Sequence, residues 1–228
     1  HLWDRIVLSL QDIPALIFCP KSRYVVVAYA ENLSEQKDHR YYMDIFFDEI
    51  LLRTDHVYKL EHVNNPAYLK NRKDALIKSN ITSTHFILAA SLLARMGIPK
   101  EVRLIAQQIT SHLDHEFGAQ AIQNLDIPKK LLKFYWTKIL YKWFLQRIRP
   151  DHLWLVNAYG DHSLVAAAKE CQIKVVEFQH GIIYPQHGGY SWSGYAVQYK
   201  DRIPIPDIIF LYGEYWKAQL EAYGFWGD

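Results

Sequence analysis

Between Leu153 and Phe178 the chain spells an apolar strand (Leu-Trp-Leu-Val156), a helix of small residues from Leu164 to Cys171, and a second strand, Lys174-Val-Val-Glu-Phe178. Two strands joined by one short helix pair in parallel, because the crossover returns the second strand alongside the first. A parallel sheet needs helices on its faces, so this unit commits the chain to an α/β fold. Tyr24-Val-Val-Val-Ala-Tyr29 is a continuous β-branched and aromatic run, the pattern of a buried strand. His56–Leu60 and Pro206–Tyr212 are further candidates. The expected fold class is α/β, a Rossmann-like parallel sheet flanked by helices.

Apolar spacing predicts helices elsewhere. Residues 42–53 place Ile45, Phe46, Ile50 and Leu51 on one side. Residues 66–97 read as one or two helical pieces, with Asn80 and Thr82 as candidate caps. A helix over 100–117 ends at Gly118. Pro128 opens a long one, 128–149, with Leu131, Leu132, Tyr135, Ile139, Trp143 and Phe144 as its apolar face. Glu214–Tyr223 is the last. Residues 1–10 are amphipathic (Leu2, Trp3, Ile6, Val7, Leu10), and 31–41 read as a polar surface loop. The expected organisation is a single domain over 1–228, with a helix-rich part (1–149) and a strand–helix–strand part (150–228).

Charge and cysteine content exclude several function classes. Lys and Arg number 26 against 24 Asp and Glu, too balanced for a dedicated nucleic-acid binder. Cys19 and Cys171 are the only cysteines, too few for a disulfide scaffold or a four-thiolate zinc site, which points to a reducing, cytoplasmic setting. No Walker A, G-x-G-x-x-G, G-x-S-x-G or H-E-x-x-H pattern occurs. Aromatic residues make up 14% of the chain, a share that suits surfaces for sugar stacking or a membrane edge.

The chemistry-bearing residues cluster after two strands. The segment from Glu177 to Trp192 begins at the C-terminal end of a parallel strand, where open α/β sheets bind ligands. His180 and His187 are suited to proton transfer near neutral pH, and Glu177 to orienting a histidine or acting as a base. Gly181, Gly188 and Gly189 permit close backbone approach or positive φ. Tyr184, Tyr190 and Trp192 offer faces to a sugar ring. The second segment, Asn157-Ala-Tyr-Gly-Asp161-His-Ser163, also follows a strand and opens a helix. Asp161 there reads either as a base for an acceptor hydroxyl or as a helix N-cap, and Ser163 is the other candidate cap.

The order of these pieces is strand, Gly160-Asp161-x-Ser163 loop, Ala-rich helix, strand, Gln179-His180-Gly181, then Pro206-Asp-Ile-Ile-Phe-Leu-Tyr-Gly-Glu-Tyr-Trp-Lys217. It resembles the N-terminal half of bacterial GT-B-type glycosyltransferases of capsule, O-antigen or other surface-polysaccharide synthesis, over about residues 149–224. The resemblance implies one half of a two-Rossmann architecture. It implies transfer of a sugar from a nucleotide-sugar donor to a glycan or lipid-linked acceptor, with no metal or other cofactor required. Gln179, His180 and Gly181 would line the cleft, with Asp161 and His187 beside them. The donor-nucleotide half is not visible in these residues. Two other classes remain open: a non-catalytic glycan- or partner-binding module of a polysaccharide-assembly complex, and an epimerase-like enzyme acting on free nucleotide sugar.

Weaker signals have plain structural readings. His112, His115 and Glu116 give two imidazoles a turn apart without a third ligand, and read as a solvated helix face. His85 reads as a core or boundary histidine, Cys171 as a buried small hydrophobe. Lys129, Lys130, Lys133, Lys138, Lys142, Arg147 and Arg149 make the 128–149 helix basic, with Trp136 and Trp143 among them. A solvated basic face with its aromatics in the core is the favoured reading. The alternative is peripheral contact with the inner face of a membrane.

Overall fold

The structure is a computed structural model, and it describes residues 12–36, 41–68, 72, 74–118 and 125–227. The amphipathic stretch expected over residues 1–10 lies outside these. Residues 12–17 are helical. In chain order there follow β1 (Tyr24–Tyr29), β2 (Leu33–Gln36), β3 (Tyr41–Asp44), α1 (Asp48–Leu51), β4 (Val57–His62), β5 (Ile81–Thr82), α2 (Thr84–Leu93), α3 (Lys100–Phe117), α4 (Ile127–Ile148), β6 (His152–Leu155), α5 (His162–Glu170), β7 (Lys174–Phe178), β8 (Ile208–Phe210) and α6 (Glu214–Glu221).

Six strands form one sheet in the order β5-β4-β1-β6-β7-β8, and every pairing in it is parallel. Numbered along the chain within this sheet, the order is 3-2-1-4-5-6, that of a doubly wound Rossmann-like fold. The direction of winding reverses between β1 and β6, the switch point at which such sheets bind ligands. The two parts expected from the sequence contribute three strands each, so the first is less purely helical than its pattern suggests.

One face of the sheet is closed by α4 and α5. Val25, Val27, Leu60, Leu153 and Leu155 meet Phe144, Leu145, Ile148 and Leu164, all fully buried. Each such side chain contributes about 1.5–3 kcal/mol by leaving water. α4 starts where Asp126 accepts the Lys129 N–H at 3.2 Å beside Pro128, and ends where Arg149 turns left-handed (φ 54°). Its core-facing residues are Leu132, Tyr141, Phe144, Leu145 and Ile148. Ile139 and Trp143, expected on that face, are exposed instead, because α5 and α2 take up the opposite flank.

The other face carries a smaller core, Val26, Phe47, Leu51 and Val156, under the short helix α1. Lys59 points to this side from the middle of β4 and is buried. Its ammonium meets Asp48 Oδ1 at 2.6 Å and donates to the Ile77 carbonyl at 3.1 Å. Asp44 reverses the chain before α1 by accepting the Phe46 and Phe47 N–H groups.

Four local expectations change for physical reasons. Within the polar stretch 31–41, Leu33–Gln36 pairs antiparallel with Tyr41–Asp44, so backbone bonds override composition. The helix expected over 42–53 shrinks to α1, since the Asp44 turn interrupts it. Within 66–97 one complete α-helix, α2, occurs among the described residues; Asn80 accepts the Lys59 N–H and Thr82 belongs to β5, bound through both N–H and hydroxyl to Asp12 Oδ2. The last strand is confined to β8. The 100–117 helix, the strand–helix–strand unit and α6 stand close to their expected bounds.

Candidate functional site

Polar groups gather at the C-terminal ends of the strands in two adjoining sets. The first spans the switch point. Tyr29 ends β1, His62 ends β4, Ser83 follows β5, and Asp161 stands at the turn between β6 and α5. Tyr29 donates its hydroxyl hydrogen to Asp161 Oδ2. His62 Nε2 lies 3.1 Å from Asp161 Oδ1, an ion pair angled away from a directed hydrogen bond. On its other side His62 Nδ1 meets Ser83 Oγ at 2.6 Å.

The charge states follow from this packing. Burial disfavours charge on Asp161, but the neighbouring His62 and the Tyr29 hydroxyl outweigh it and hold the carboxyl below its ordinary range. Burial likewise opposes an imidazolium at His62, and Asp161 reverses that effect, so its pKa is raised. Burial, then the Asp161 carboxylate, push the Tyr29 phenol far up. Asp161 sits at the N-cap position of α5 without a side-chain cap bond: its oxygens go to Tyr29 and His62 instead. Ser83, His62 and Asp161 have the residue types of a nucleophile triad, yet Ser83 is buried and a histidine that favours its charged form is a poor base for it. The set is an anchored carboxylate.

The second set lies along β7 and its loop. Glu177 is buried and takes the Tyr190 hydroxyl at 2.8 Å and the Ala158 N–H at 3.3 Å. Burial dominates these bonds and raises its pKa to about 7. His180 is half-buried, with Nε2 3.1 Å from the Tyr159 hydroxyl. Burial first, then His187, lower its pKa, so it is a neutral imidazole at pH 7. His187 packs edge-on to Tyr159 and Tyr184, and its Nδ1 accepts the Gly189 N–H.

The remaining expected site residues divide by exposure. Gln179 is buried; its Oε1 accepts the Tyr212 N–H and its Nε2 donates to the Gly181 carbonyl, so both ends of the amide shape the loop. Tyr190 is buried against Glu177, and Trp192 stacks on Phe225 while donating to the Gly189 carbonyl. These three are held by the protein itself. Tyr184 is about half exposed. Gly181 and Gly188 face open space, whereas a Cβ on Gly189 would fall 2.3 Å from the Tyr159 ring. Close approach therefore explains Gly189 alone.

Tyr29, His62, Ser83 and Tyr159 were missed by sequence reasoning. The available signal was position: Tyr29 and His62 close β1 and β4, and Ser83 and Tyr159 follow β5 and β6, on the side where the sheet opens. Elsewhere, His115 is exposed and meets only Glu116, and no group of three metal-binding side chains occurs among the described residues. His85 packs on Phe86, and burial lowers it to about 4. Cys171 is partly buried against the main core. No protein-family model, curated protein or solved structure matches the chain.

Proposed function

We propose that this chain is the acceptor-side domain of a glycosyltransferase that moves a sugar from a nucleotide-sugar donor to a hydroxyl of a growing bacterial surface glycan. The observation that carries the reading is His180, a neutral imidazole at the C-terminal end of β7, next to the switch point, with a hydroxyl already on its Nε2. Asp161, Glu177, His180 and His187 are the bases left open by the sequence, and between Asp161 and His180 this geometry favours His180. Asp161 has both oxygens engaged and a depressed pKa, which makes it a weak base and a firm anchor.

In the proposed step the acceptor hydroxyl replaces Tyr159 on Nε2. It gives its proton to the imidazole as its oxygen bonds to the anomeric carbon. The bond from that carbon to the diphosphate breaks, and the leaving nucleoside diphosphate keeps the electron pair. Tyr184 offers a ring face to the acceptor, and the space beside Gly181 and Gly188 leaves room for it. The donor would be held mainly by a second domain.

The test is transfer by the full-length protein from a panel of nucleotide sugars. His180→Ala should lower turnover by about 100-fold or more while circular dichroism stays native. Undiminished turnover overturns the assignment. Oligosaccharide binding that survives loss of both His180 and Asp161, with no transfer by the unaltered protein, would favour a glycan-binding module.

A further inference from the structure

α4 carries Lys129, Lys130, Lys133, Lys138, Lys142 and Arg147 and no acidic side chain. Glu170 of α5 pairs with Lys138 at 2.6 Å and Lys142 at 2.7 Å, and Asp126 lies 3.9 Å from Lys129. Lys130, Lys133 and Arg147 have no ion pair among the described residues. The helix therefore presents uncompensated positive charge to solvent.

Large apolar side chains stand beside Arg147, at the C-terminal end of this basic helix. Trp143 is 43% exposed on α4, and Ile139 is exposed one turn before it. In the segment leading to β1, Ile17 is 53% and Phe18 78% exposed, and Ile13 is exposed one turn before Ile17. This segment is anchored: Leu16 and Cys19 pack on the main core, and the Ala15 carbonyl accepts the Tyr58 hydroxyl at 3.2 Å. Arg147 joins the two pieces. Its guanidinium donates to the Ile17 carbonyl at 2.7 Å and lies 5.1 Å from the Trp143 ring centre. The rings and the cation thus form one surface, fixed by the fold.

Aromatic tips flanked by cations suit the boundary of an anionic bilayer, where rings enter among the headgroups and cations meet lipid phosphates. No helix among the described residues is long and apolar enough to cross a membrane, so such contact would be peripheral. An acidic protein that covered the same rings would leave the chain behind in flotation with lipid vesicles. We propose that the surface formed by Ile17, Phe18, Trp143 and Arg147 docks on an anionic lipid bilayer. The inference does not depend on glycosyl transfer.

The experiment is flotation of the full chain with phosphatidylcholine vesicles, with and without phosphatidylglycerol, at low and physiological salt. The chain should float with the anionic vesicles, less so as salt rises, and stay behind with the neutral ones. Phe18→Ser with Trp143→Ser should weaken binding by about tenfold or more, and Phe18→Ser alone should weaken it in part with an unchanged thermal melt, because Phe18 is 78% exposed. Lys130→Glu with Lys133→Glu should weaken it through charge alone. Absence of binding, equal binding to neutral vesicles, or undiminished binding by both variants overturns the proposal. So does self-association that depends on Phe18 and Trp143 in a chain that ignores vesicles, which would assign the surface to a second copy.

Discussion

Replacing Glu177 by glutamine isolates the cost of a buried carboxylate at the site. In the folded chain Glu177 keeps its proton up to about pH 7, whereas its ordinary value is 4.5. Between those values the folded state binds the extra proton, so this group's contribution is fully present below 4.5 and is lost as pH rises through 7. The difference corresponds to about 3 kcal/mol, at 1.36 kcal/mol per unit. Glutamine has nearly the same shape, still accepts from Tyr190 and Ala158, and never charges. The variant should match the parent near pH 4.5 and exceed it by about 3 kcal/mol at pH 8, or roughly 6–12 °C in melting temperature for a chain of this size. Urea unfolding of both proteins from pH 4.5 to 8 reads the difference directly. Other buried carboxyls, such as Asp44 at about 6, titrate in both proteins and cancel. Parallel stability curves would show that Glu177 ionises as if in water, and would refute the reasoning.

His62→Gln should leave Asp161 charged, enclosed and without a counter-charge, at a cost of about 3–5 kcal/mol. The pair's contribution requires an ionised Asp161 and a protonated His62, so the loss should be greatest between pH 3.8 and 6.5 and shrink as pH rises through the raised pKa of His62; urea midpoints at pH 5.5 and 9 test both magnitude and sign. Arg149→Gly should stabilise the chain by up to about 1 kcal/mol, because Arg149 closes α4 at φ 54°, where a Cβ is strained. A lower denaturation midpoint would mean that the Arg149 side chain supports the structure.

Legibility followed apolar continuity. β1 was readable because residues 25–28 are buried without a break, and β6, α5 and β7 because each is built on a short apolar run, 153–155, 164–168 and 175–176. β4 was harder: Lys59 and Glu61 interrupt its run, and their ion pairs with Asp48 and Arg72, together with bonds to the Ile77 carbonyl and the Ser79 hydroxyl, make those residues acceptable inside. β5 is two residues long, too short for any period to register. At the site, His180 and Asp161 were visible from strand-end position and residue type. Their partners Tyr159, Tyr29 and His62 were not, since Tyr29 and His62 look like the last residues of strands until the fold sets them against a turn far along the chain. Gln179 and Tyr190 read from the sequence as ligand contacts, and the structure engages both in bonds within the protein, because polarity in a loop does not reveal which groups the loop itself uses.

The sheet order also governs how the chain can assemble. β1 lies between β4 and β6, and the Tyr29–Asp161 hydrogen bond closes a separation of 132 residues. β6, α5 and β7 are neighbours in sequence and can associate early, as can β1 with β4. Joining the two halves must wait for a long loop to close, and the entropy of that closure is met before the contacts it brings are formed. Until then each half bears a raw apolar edge at what becomes the centre of the sheet. The anchored carboxylate Asp161, beside the place of the proposed chemistry, therefore lies on the seam that forms last, and any delay in sealing it exposes strand edges to aggregation.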